Sequence, residues 1–115
     1  SVMHQKFSLK RVESLEAKLQ RLTYLEERMP SLTGEAREEL VLACLFLMQS
    51  SLRFLHGEEL KQARKLISDA MDTARPVPNR KGRSLKRDLL LKLSQWNLEA
   101  TSRLLNMLIR LGVLH

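Results

Sequence analysis

Six cations fall between positions 75 and 87: Arg75, Arg80, Lys81, Arg83, Lys86 and Arg87, with no acid before Asp88. A cluster of this kind attracts phosphates, acidic lipid headgroups or an acidic protein surface. Backbone amides at the start of a helix opening near Ser84 add to that attraction. The competing reading is a solvated loop that only keeps the protein in solution. The other chemically capable residues are scattered. His4, His56 and His115 have no second His or Cys at ligand spacing, so no metal site is read. His56 reads as a helix-end residue interacting with carbonyls. The single cysteine, Cys44, lies between Ala43 and Leu45, where a thiol is a buried packing group and not a nucleophile. The acid pairs Glu26/Glu27, Glu38/Glu39 and Glu58/Glu59 fall at expected helix ends as surface charges or dipole partners. No Gly-rich phosphate loop, Gly-x-Ser-x-Gly or Cys/His arrangement occurs. The expectation is no catalysis, no metal and no cofactor.

The charge is unevenly placed. Residues 1–74 hold eleven basic and eleven acidic side chains, whereas residues 75–115 hold nine basic and two acidic, so the whole excess of +7 lies in the last third. A double-stranded nucleic acid needs only phosphate contacts and is compatible with that excess. Single strands also need stacking platforms, and Tyr24 and Trp96 lie far from the cluster.

Four helices are expected to position these residues. The first spans about 8–29, with Leu9, Val12, Leu15, Leu19, Leu22, Leu25 and Met29 at spacings of three and four. Ser8 is its expected cap and Pro30 its stop. Thr33 is the expected cap of the second, about 34–55. Nine consecutive apolar residues, Leu40 to Met48, cover every side of that helix, so it should be the central one. They are also too few for a membrane span, which needs roughly 20. Gly57 suits a left-handed closing turn before the third helix, about 58–74. Its stripe is Leu60, Ala63, Leu66, Ile67, Ala70, Met71 and Ala74.

Ser84 should cap a fourth helix, about 84–111. Its polar side would hold Asp88, Lys92, Gln95, Glu99, Ser102, Arg103, Asn106 and Arg110. One apolar face would carry Leu85, Leu89, Leu93, Trp96, Ala100, Leu104, Met107 and Leu111. Leu91, Leu98, Leu105 and Ile109 lie round the other side and are the expected partner-helix surface. A helix this apolar needs covering from two directions. The second and fourth helices are therefore expected to be the most buried.

Composition agrees with a helical class. Aromatics are 4% of the chain, with 4 Gly and 3 Pro in 115 residues, too few for a sandwich or barrel. At 43% hydrophobic and 29% charged, the chain is not a disordered tail. One cysteine excludes a disulfide framework. Residues 1–10 lack the apolar stretch of a signal peptide, so a reducing, cytoplasmic location is expected. The opening Ser1-Val2 suits a domain cut from a longer chain. The fold class expected is all-α, an antiparallel four-helix bundle or helical-hairpin array, as one domain over 1–115.

Two local resemblances add expectations. Residues 45–76 resemble a tetratricopeptide helical hairpin: Phe54, Gly57, Ala63, Ile67, Ala70 and Pro76 stand near that family's aromatic, turn Gly, paired Ala, bulky residue and Pro. The turn is about one residue short, and Ser50 and Ser51 replace the family's Leu-Gly. The resemblance implies a scaffold that binds other proteins. The segment His56-Gly57-Glu58-Glu59-Leu60-Lys61-Gln62-Ala63-Arg64 is similar to helical tails after the catalytic domain of some bacterial family 2 glycosyltransferases. Without their catalytic motifs, it implies an accessory piece. The leading expectation is a non-catalytic helical protein-interaction or regulatory module that self-associates through the first or fourth helix. The competing ones are a nucleic-acid-binding regulator using the basic loop, and an accessory domain of a larger enzyme.

Overall fold

The computed structural model describes residues 7–78 and 82–112. Its elements in chain order are α1 (Leu9–Glu13), α2 (Leu15–Arg28), a 3-10 turn (Pro30–Leu32), α3 (Thr33–Phe54), α4 (Gly57–Ala74), α5 (Leu85–Trp96) and α6 (Leu98–Arg110). No strand occurs among the described residues, and the chain is all-α.

The first expected helix is interrupted at Ser14. Its hydroxyl donates to the Arg11 carbonyl at 2.5 Å, a local bond that competes with the helical ladder. Ser8 takes the cap position of α1 with extended backbone but no side-chain cap bond. Thr33 is not a cap either. The 3-10 turn starts at Pro30, and the Thr33 hydroxyl donates back to the Pro30 carbonyl at 2.8 Å. Gly57 takes φ +58 at the head of α4, a conformation that costs a residue without Cβ least.

Helix α3 touches every other element. It buries Leu40, Val41, Cys44, Leu45, Leu47 and Met48, which makes it the central helix, but Phe46 in the same apolar run is exposed, so the run is covered over about half of the helix and not on every side. Arg37 reaches Thr73 and Ala74 while Cys44 reaches Ile67, so α3 and α4 run antiparallel. Helix α4 contributes Ala63, Ile67, Ala70, Met71 and Ala74 to the core; its Leu66 stays exposed. Small alanines on this stripe let the two backbones approach closely.

The fourth expected helix is two helices. Asn97 breaks it with extended backbone (φ −156°, ψ 97°), and its side chain accepts from the Ala100 amide at 3.0 Å. One capping residue therefore ends α5 and starts α6. Between them these helices fully bury only Leu91, Ser94, Thr101 and Ser102, so the fourth element is not among the most buried.

The face that turns inward also differs. Ser102, expected on the solvent side, is fully buried, and Asn106 donates to the Gln49 carbonyl of α3 at 3.1 Å. Helices α3 and α6 pack together, and small polar residues are buried on both: Ser51 on α3 and Thr101 and Ser102 on α6. Thr101 and Ser102 donate their hydroxyls to the carbonyls of Asn97 and Leu98, which lets them be buried without an orphaned donor. Leu104, Met107 and Leu111 consequently face solvent.

Candidate functional site

The basic segment is the first site to place, and it is largely spent inside the fold. Arg83 is buried. One guanidinium nitrogen donates to Glu38 Oε2 at 3.1 Å and to the Pro78 carbonyl at 2.8 Å, and the other to Asp88 Oδ1 at 3.1 Å. Arg87 donates to the second Glu38 oxygen. Asp88 also meets Lys92 Nζ at 3.0 Å. The hydrogen bond from Lys92, with a smaller contribution from Arg83, holds the Asp88 carboxyl below its ordinary pKa. Arg75 donates to Asp72 and to the Gln95 carbonyl. Arg80 and Lys81 lie outside the described residues. Among the described members of the cluster, only Lys86 has no ion pair.

Two expectations are thereby corrected. Arg83 is not an available anion contact, because its charge is neutralised in the interior. Glu38 is not a surface charge, because it is 1% exposed and seated against Arg83 and Arg87. The cluster clamps the loop before α5 onto α3. The sequence separates Glu38 from its partners by 45 and 49 positions, so no local pattern announced the pair. Arg37 is a second missed structural cation. It donates to the last carbonyls of α4, at 2.8 and 3.2 Å, and to Glu26 at 2.5 Å. Those carbonyls have no intrahelical partner, and a cation suits the negative end of a helix.

The expected partner-helix surface is also corrected. Leu91 is fully buried and belongs to the core cluster; Leu98 is half-buried against that cluster, and Leu105 is half-buried. These three face their own chain, and only Ile109 is exposed, at the edge. The outward face carries the other set, Leu85, Leu89 and Trp96 on α5 and Leu104, Met107 and Leu111 on α6 and its cap. Both faces are apolar, so composition did not separate them; the small inward residues and the break at Asn97 decide the orientation.

Cys44 behaves as expected. It is fully buried, and burial pushes its thiol up to about 12. His56 is exposed at the cap position of α4 and makes no side-chain cap bond. His4 and His115 lie outside the described residues. Among the described residues no group of three or more His, Cys, Asp or Glu could hold a metal, and no helix is long and apolar enough to cross a membrane.

Two concavities among the described residues are large enough to matter for a ligand. A cleft of about 310 Å³ opens between α4 and the α5–α6 junction. Its charges cancel in pairs, Arg64 with Glu99 at 2.9 Å and Arg75 with Asp72. The second is a groove of about 580 Å³ between the end of α3 and α6, where Arg53, Arg103 and Arg110 meet Leu52, Phe54 and Met107. The chain matches no family model, no curated protein and no solved structure.

Proposed function

We propose that this chain is a non-catalytic helical interaction module that pairs with a second copy of itself through the outer stripe of α5. The observation that carries the reading is the exposure of Leu85 (85%), Leu89 (54%) and Trp96 (79%) on one side of a single helix. At 100° per residue these three fall within about 40° of one another, and Lys92 lies about 20° beyond Leu85 at the edge of the row. Large apolar side chains in a contiguous exposed row mark an association surface.

A second copy fits the charges beside that row. An antiparallel two-fold pairing centred near residue 90 sets Asp88 opposite Lys92 of the partner subunit, twice, and brings Leu85 towards the partner's Trp96. Within one copy Asp88 and Lys92 are already paired, and Lys92 is mostly exposed, so exchange between subunits needs no new charge. The nucleic-acid reading draws no comparable support, since Arg75, Arg83 and Arg87 are held by the protein's own carboxylates.

The test is light scattering across a wide concentration range. The mass is expected to rise from 13.3 kDa towards twice that value, and Leu89→Glu is expected to hold the protein monomeric. A wild-type protein that stays monomeric at its highest concentration overturns the reading.

A further inference from the structure

The groove between α3 and α6 is a separate feature from the α5 row, and its chemistry is one-sided. Its lining holds three arginines and no acid: Arg53, Arg103 and Arg110, with Leu52, Phe54, Asn106 and Met107. Arg103 reaches back to Glu99 at 3.1 Å, whereas Arg53 and Arg110 have no ion pair among the described residues. Phe54 and Met107 are each about half exposed, so apolar surface and unpaired charge share one concavity. Asn106 is turned inward, its amide nitrogen donating to the Gln49 carbonyl at 3.1 Å, and forms the floor of the groove.

We infer that this groove receives an acidic amphipathic helix of another protein. Apolar side chains at helical spacing would cover Phe54 and Met107, and flanking carboxylates would meet Arg53, Arg103 and Arg110. A second copy of this chain does not supply that helix. The apolar stripes of α2, α3 and α4 are committed to the core, and the outward stripes of α5 and α6 lie in the basic third of the chain. A flat bilayer fits a concave apolar surface poorly. Stacked bases find no second platform in the groove, because Phe7, 6.4 Å from Phe54, is itself buried. The proposal does not rest on pairing through α5.

Fluorescence anisotropy tests it with a labelled peptide of about four helical turns, carrying Leu at i, i+3, i+4 and i+7 with Glu on both flanks. The controls are a scrambled isomer of equal charge, phosphatidylserine vesicles and duplex DNA. The amphipathic peptide is expected to bind, the isomer to bind about tenfold more weakly, and Arg53→Ala/Arg110→Ala to weaken binding about tenfold without changing the thermal melt. Leu89→Glu should leave peptide binding intact, which separates this surface from the α5 row. No binding at low salt, equal binding of the isomer, an unaffected double variant, or a preference for vesicles or duplex would each overturn the proposal.

Discussion

At the level of single residues, the most consequential contact joins Glu38 to Arg83 and Arg87. A carboxylate at 1% exposure needs compensation for lost hydration, and the two guanidinium groups provide it. Arg83→Ala is expected to cost on the order of 3 kcal/mol in urea unfolding, because it strips a partner from a buried acid. Replacing Glu38 and Arg83 together by Leu and Met should cost clearly less than the sum of the single changes. Asp88 adds a pH dependence on the acid side. Its folded pKa is lowered by Lys92 and Arg83, so its contribution is present above the ordinary carboxylate range and is lost as pH falls through the folded value. A thermal melt followed from pH 5 downward should drop more steeply for the wild type than for Asp88→Asn. Cys44 acts at the opposite end. Its thiol titrates near 12 in the fold against 9.0 unfolded, so stability should decline above about pH 9 as the unfolded thiolate forms. At neutral pH, alkylation of Cys44 should proceed only at the rate of opening, and rapid labelling of the folded protein would contradict its burial.

At the level of elements, Asn97 has the largest effect on shape. A single extended residue with a capping side chain turns one expected helix into two and frees α6 to choose its own face. Asn97→Ala is expected to destabilise the protein by about 1 kcal/mol through the lost cap, read by chemical denaturation. The helices themselves were legible. Apolar spacing located α2, α3 and α4, Pro30 marked the first stop, and Ser84 caps α5 by accepting from the Arg87 amide at 3.2 Å. The orientation of α6 was not legible, for a physical reason. Its inward side uses Thr101 and Ser102, whose hydroxyls are satisfied by their own helix, so polarity gave the wrong sign for burial. Leu91 was misplaced with it, since the continuous-helix reading assigned faces across a break. The basic cluster was legible as charge but not as structure, because its acceptor, Glu38, lies on a distant helix.

At the level of the whole molecule, the fold concentrates its unsatisfied surface at one end of the sequence. Seven of the thirteen exposed large apolar side chains among the described residues lie between Leu85 and Leu111. The central helix and its hairpin partner supply most of the continuous core, while the outer faces of α5 and α6 carry the larger share of exposed apolar side chains. That division suits the proposed association module, whose contact surface would be the open apolar rim. Trp96 is the only tryptophan and is 79% exposed on the proposed contact row, so its emission reports that surface directly. In dilute solution it should emit as a hydrated indole and be quenched freely by acrylamide. On concentration the emission should move to the blue and quenching should fall, with Leu89→Glu abolishing both changes. An emission that is independent of concentration, or already blue at the lowest dilution, would contradict the account.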